Sequence, residues 1–365
     1  MILVDAHQDI AYNALTFGRN YSLPVYKKRR AELHHNWHPI HGPGVVTAGL
    51  PDALLGRVAL VFATLFVEPA GSALTEGGTP PIYNTPREAY QAATAQWDYY
   101  QRLADENDQI RLVTTAADLD AVLSQWQPAD PTAPLASLSK RVQGLVLLME
   151  NADPILEPKQ FEEWYGRGVR IVGPAWGRTR YSGGTGAPGG LTTLGFQLLE
   201  TMRGFNAMLD LSHMAEQAFY EALERYDGVI IASHSNPRRF KDTDRHLSDE
   251  MIRLLAERDG VMGIVPYNRF LHPTWQPGDA RDAVPFTRLV DAIDYVCQLT
   301  GSAAHVGIGS DFDGGFGLNS IPAGMDTVGD LWWLVNHLTG RGYSPTDVEA
   351  IVGGNFLRKL RQVLP

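Results

Sequence analysis

Cys297 is the chain's one cysteine, which excludes a disulfide framework within it. No apolar run reaches the ~18 residues that a membrane-crossing helix needs. The first residues read as a strand, not as a charged segment followed by an apolar stretch of the kind that directs secretion. Positive charge is in short supply. Against 41 Asp and Glu stand 31 Lys and Arg, a formal net charge of -10. That balance repels phosphate backbones and argues against a nucleic-acid partner. No internal repeat is visible. These absences leave the expectation of a soluble, cytoplasmic protein with a small-molecule substrate, no nucleic acid and no membrane among its partners. Oligomeric state stays open, a homodimer included.

What the chain has in quantity is apolar residues, 44% of 365, enough for one large core. Eight short runs read as strands: 2–5, 57–66, 144–149, 169–173, 207–211, 228–232, 261–265 and 305–309; most are rich in Val, Ile and Leu and lack polar alternation, as strands buried on both faces do. Helical periodicity fills gaps between them, at 87–105, 193–205, 215–225, 248–257, 288–299 and 345–363. Thr192 or Thr193, Ser212, Ser248 and Ser344 suit helix N-caps. Strands alternating with helices predict an α/β fold, a (β/α)8 TIM barrel forming a single domain over 1–365. A long excursion, around 68–142, separates the second strand from the third. It carries a further short strand at 110–114 and a Pro-rich linker at 127–134. Cys297 falls in a helical pattern and reads as a small buried apolar residue.

Chemistry in such a barrel gathers at the C-terminal ends of the strands. His7 and Asp9 follow the first run, two residues apart, so an extended backbone points both to one side. Glu150 ends GLVLLME. His213 ends LDLSH and His234 ends IIASH, each after a serine and an apolar run. Converging imidazoles and carboxylates suit a two-metal hydrolase, with Glu150 central enough to be shared. His7, Asp9 and Glu150 would hold one ion; Glu150, His213 and His234 the other. Asp311, after the eighth run in HVGIGSDFDGG, is placed to accept a proton from an attacking water, and Asp313 to order the Gly-rich turn. The rival cluster His34, His35, His38 and His41 lies in a long loop, 21–48, that also holds Lys27, Lys28, Arg29 and Arg30. Its spacing fits no closed tetrahedral site, and it reads as a lid element or an adventitious metal binder.

The segments VDAHQD, GLTTLGFQLLETM, LDLSH, SHSN, GIGSDFDG and GGNFLRKLRQVL, with the strand ending in Glu150, run nearly end to end. Together they make the chain resemble the renal (membrane) dipeptidase family, peptidase family M19, zinc dipeptidases on an amidohydrolase-like barrel. The resemblance implies two Zn2+ ions bridged by Glu150, with His7, Asp9, His213 and His234 as the other ligands and Asp311 as the catalytic carboxylate. It implies that Arg245, eleven residues after His234, binds the substrate's terminal carboxylate, and that Tyr267 in VPYN contacts the substrate. One departure stands out. Where the family reads L-T-H after the fourth strand, with a histidine that polarises the scissile carbonyl, this chain reads GPAWGR and carries Trp176. Indole donates one hydrogen bond but cannot become cationic. Arg178 or Arg180 is the expected substitute. The segment after Glu150 also departs, MENAD in place of E-G-G.

The implied function is a binuclear zinc hydrolase that cleaves the amide of a dipeptide or a similar carboxylate-bearing amide. With Trp176 in the pocket, a non-peptide amide, lactone or ester is the alternative substrate. A silent metal-binding homologue is a third reading, against which a full ligand set plus Asp311 argues.

Overall fold

The computed structural model describes residues 1–34, 45–71, 82–126 and 141–365, and the backbone of 38–39 and 75–76. Eight parallel strands form a closed barrel: β1 (Leu3–Gln8), β2 (Val58–Phe66), β3 (Gln143–Glu150), β4 (Val169–Gly173), β5 (Met208–Asp210), β6 (Ile230–Ala232), β7 (Val261–Ile264) and β8 (Val306–Ile308). They neighbour one another in chain order, and the β1–β8 pairing closes the ring. Every residue of these strands is buried, because helices cover the outside and side chains fill the inside. This is the predicted (β/α)8 barrel.

The longest ladder joins β2 to β3, from Leu60 opposite Gly144 to Phe66 opposite Glu150. It therefore brings an aromatic ring and a carboxylate to the mouth side by side. At the far side of the ring, β7 and β8 come unusually close to the end of β6. A Cβ on Gly263 or Gly309 would lie 1.9 Å from the Ser233 carbonyl oxygen, so both positions require glycine. The closeness holds Ser233 and His234, just beyond β6, against β7 and β8.

Asp5 pins β1 to β8. Ser310 donates its N–H at 2.7 Å and its hydroxyl at 2.5 Å to the Asp5 carboxylate, and Gln8 Nε2 donates at 2.6 Å. All of these groups are buried.

Several local expectations need correction. The pattern over 345–363 is not one helix: it breaks into Pro345–Glu349, a π-turn over Ala350–Gly354, and Asn355–Val363. A Cβ on Gly353 would lie 2.8 Å from the Ile2 carbonyl, so the wide turn lets β1 pack closely. Thr192, Ser248 and Ser344 cap their helices, but Ser212 does not. Its hydroxyl accepts the His234 N–H at 3.1 Å instead. The stretch 21–48 is not wholly loop, since Val25–Glu32 is helical, with Lys28 buried against the Ala48 carbonyl. Between β2 and β3 the chain forms the helix Pro86–Glu106, the strand Ile110–Leu112 on the edge of β3, and the helix Ala116–Ser124. Of the histidine cluster, His34 is exposed, while His35, His41 and the His38 side chain lie outside the described residues, as does the linker 127–134. Cys297 is buried in the helix Thr287–Thr300, and burial pushes its thiol up to about 11, so it is chemically quiet.

Replacing Asp5 with alanine would remove the acceptor of four buried donors, the His7 N–H at 3.4 Å included, each unpaired donor costing roughly 1–3 kcal/mol. Asp5→Ala should lower unfolding stability by about 3 kcal/mol or more. The urea unfolding midpoint measures it, and a loss under about 1 kcal/mol would mean that Asp5 does not tie the barrel shut.

Candidate metal centre

The C-terminal ends of five strands bring six titratable side chains together. Glu150 is at the centre. One of its oxygens lies 3.4 Å from His7 Nε2, and the other lies 3.3 Å from both His213 Nε2 and His234 Nε2. The His213 and His234 Nε2 atoms are 3.0 Å apart. Asp9 and Asp311 also approach His7 Nε2, at 3.8 and 3.9 Å. Two overlapping donor groups result, His7–Glu150–His234 and His7–Asp9–Asp311. His213 and Asp311 both take left-handed backbone conformations, φ 63° and 54°. Side chains other than glycine adopt these only when the surroundings enforce it.

Outer contacts orient the imidazoles. Ser233 donates its hydroxyl to Asp210 at 2.5 Å. Its lone pairs then face His234 Nδ1 at 2.8 Å and His7 Nδ1 at 3.5 Å. The proton of His234 therefore sits on Nδ1, leaving the Nε2 lone pair aimed at the centre. Thr185 Oγ1 holds His213 Nδ1 at 3.0 Å, and Thr64 donates a short hydrogen bond to Asp9. Burial, with Arg245 and His7 nearby, holds His213 and His234 well below the usual imidazole range, so both are neutral. Burial would push His7 down as well, but Glu150, Asp9 and Asp311 outweigh it and hold the ring at about 10. Burial raises Asp9 to about 6 and lifts Asp311 well above the usual carboxylate range.

These residues fit a metal ion. His7 Nε2 is fully buried with no hydrogen-bond partner, an arrangement that costs free energy unless something binds there. The negative potential that holds a proton on His7 would hold a divalent cation, and mixed imidazole and carboxylate donors suit zinc.

Arg245 is buried beside the centre. It donates to the His234 carbonyl at 2.6 Å and to Ser235 Oγ at 3.2 Å, both neutral acceptors. Tyr267 stacks on Phe316, ring centroids 4.3 Å apart. Trp176 is half-buried, 5.4 Å from Phe66 and 6.1 Å from His213 between ring centroids. All three line one cavity of about 730 Å³, with Asp9, Glu150, His213 and Asp311. Arg178 and Arg180, the expected substitutes for a polarising histidine, do not line it. Arg178 donates to the Pro188 carbonyl, and Arg180 to the Leu156 and Ile155 carbonyls. Asp153 of the MENAD segment, 3.5 Å from Arg180, draws that guanidinium away from the cavity. Asp313 does more than order its own turn: it accepts the N–H groups of Thr47 and Ala48 and so anchors the segment entering the second strand.

Sequence reasoning missed Asp5, Asp210, Ser233, Thr64 and Thr185. The available signal was a carboxylate inside an apolar run, as in LVDAH and MLDLS, because a buried acid needs partners.

Comparison with known proteins gives one family. Residues 1–364 match the membrane dipeptidase family, peptidase family M19. An uncharacterized protein in the pqqA 5' region of Klebsiella pneumoniae is 31% identical over 216 residues, 57% of this chain and 77% of that protein. Dipeptidase aclJ of Aspergillus oryzae is 31% identical over 175 residues, 48% of this chain, and the match spans 39% of its length. A metallopeptidase from Rhodobacter sphaeroides, solved with a phosphinate mimic of the dipeptide L-Ala-D-Ala, shares the fold at TM-score 0.76 and 20% identity. That match covers 100% of this chain and 99% of the solved one.

Ser233→Ala would remove the link that orients His234 and His7. It should weaken metal affinity by about 10–100-fold, measured by chelator competition, because outer-shell partners typically carry that much. Unchanged affinity would show that Ser233 leaves the ligands' orientation unaffected.

Proposed function

The chain belongs to the membrane dipeptidase family, peptidase family M19, a family of metal-dependent peptidases, and on that footing we propose that it hydrolyses dipeptides with two zinc ions. One observation carries the reading: the two oxygens of Glu150 face imidazoles from different strands, in the same cavity as a buried arginine. His7, Asp9 and Glu150 would hold one ion; Glu150, His213 and His234 would hold the other. Bound there, the ions supply Lewis acidity to the scissile carbonyl and to the attacking water.

The chain's own groups account for the rest. Asp311 lines the cavity within the donor cluster, 3.9 Å from His7 and near Arg245, where a carboxylate can take a proton from water and return it to the leaving amine. Its backbone N–H bonds the His7 carbonyl at 3.1 Å, which fixes it relative to β1. Arg245 spends its hydrogen bonds on neutral acceptors, so its charge is available for a substrate carboxylate, and a guanidinium fork matches that group. Tyr267 and Phe316 wall the same side.

Trp176 favours the second reading, a non-peptide amide, lactone or ester. No cationic side chain replaces the polarising histidine among the described residues next to Trp176, because Arg178 and Arg180 are held elsewhere. Removing an oxyanion donor typically costs about 2.7–4 kcal/mol of transition-state stabilisation. Dipeptide turnover slower than in a histidine-bearing relative is consistent with either reading.

A dipeptide panel, free and C-terminally amidated, tests the proposal with and without chelator. Free dipeptides should be hydrolysed, chelator should abolish the activity, and amidation should lower kcat/KM. Arg245→Ala should close that gap, worth about 1.5–3 kcal/mol for a charged hydrogen bond. Equal rates on free and amidated substrates would remove the carboxylate clamp and move the assignment to a non-peptide substrate.

A further inference from the structure

The cavity mouth is chemically two-sided. In an eight-membered ring β2 faces β6 and β4 faces β8. On the β6–β8 side stands Arg245, bonded to the residues just beyond β6. On the opposite side, Tyr12, Phe17 and Phe66 form an apolar cluster separate from the barrel core, with Trp176 packed against it. The rings meet edge to face or tilted: Tyr12 to Phe66 at 5.2 Å, Tyr12 to Phe17 at 6.2 Å and Phe66 to Trp176 at 5.4 Å. All four line the cavity.

The cluster's position matters as much as its composition. Phe66 is the last residue of β2, paired across the ladder with Glu150. Trp176 is tilted beside His213, ring centroids 6.1 Å apart. The aromatic wall therefore borders the donor cluster directly, across the mouth from Arg245. A substrate anchored at Arg245 by its carboxylate, with its amide at the donors, extends its acyl half onto this wall. Among the described residues on this side, Arg19 bonds Glu32 at 2.6 Å and Asn13 at 2.7 Å, and the Tyr12 hydroxyl donates to the buried Glu68 carboxylate at 2.5 Å.

We infer that Phe66 and Trp176, backed by Tyr12, form the subsite for the acyl half of the substrate and select an aromatic side chain there. This deepens the dipeptidase reading and rests on its orientation of the substrate. Aromatic pairs gain from edge-to-face and offset contacts beyond the area that they bury, and indole offers the largest face for them. An aromatic group placed on the wall displaces water from rings that otherwise line an open cavity. The replacement of a polarising histidine by Trp176 then has a physical reason: the position serves side-chain selection.

Non-hydrolysable phosphinate mimics of Phe-Gly, Gly-Phe and Gly-Gly, titrated calorimetrically into the zinc-loaded protein, test the inference without turnover. The Phe-Gly mimic should bind at least about tenfold more tightly than the Gly-Gly mimic, and more tightly than the Gly-Phe mimic, since filling a hydrophobic pocket discriminates by 10–200-fold. Phe66→Ala and, separately, Trp176→Leu should each collapse most of that ratio. An equal or reversed order in the wild-type protein overturns the inference, and so does a ratio that survives both substitutions. Turnover of the free dipeptides is scored in parallel. No hydrolysis of any dipeptide sinks the dipeptidase reading by itself, while the mimic ranking still decides the aromatic subsite.

Discussion

Gathering Glu150, Asp9 and Asp311 with His7, His213 and His234 inside a barrel mouth is electrostatically expensive. Desolvation disfavours each charged form, and the carboxylates repel one another at these separations. Positive charge at the centre relieves both. Glu150, Asp9 and Asp311 hold the His7 imidazole up against the burial that would push it down. Divalent ions held by these residues would meet the same demand, with the imidazoles neutral as ligands.

Much of the surrounding structure serves to hold this arrangement in place. Asp5 locks β1 to β8, which sets His7 relative to Asp311. Asp210 and Ser233 fix the tautomer and tilt of His234. Gly263 and Gly309 admit the Ser233 carbonyl where any side chain would collide with it. His213 and Asp311 accept left-handed backbone conformations. Strain and buried polar networks of this kind persist where the neighbouring structure over-determines them, as rigid barrel strands do here.

The barrel was legible because its strands are short apolar runs, and the donor cluster because its members follow those runs directly. His7, Glu150 and His234 could be placed at the mouth by that logic alone. Contacts that join distant segments were harder to read. Asp313 looks like a turn residue in FDGG, yet its partners Thr47 and Ala48 lie far away in the chain. Arg178 and Arg180 sit beside Trp176 in sequence, but a carboxylate in MENAD and carbonyls of a neighbouring loop draw them off. Asp5 and Asp210 were hidden inside apolar runs, where periodicity records burial and not bonding. The break in the last helix depends on how closely β1 must approach Gly353, which no local propensity encodes.

Glu150 is the residue on which the two-ion account turns, so metal content is its most direct measure. Elemental analysis of protein purified without chelator should find about two zinc equivalents per chain, and Glu150→Gln should lose at least one while the fold persists by circular dichroism, because a neutral amide cannot serve two cations as a carboxylate does. Full metal content in Glu150→Gln, or a single equivalent in the unmodified chain, would contradict a shared, two-ion centre.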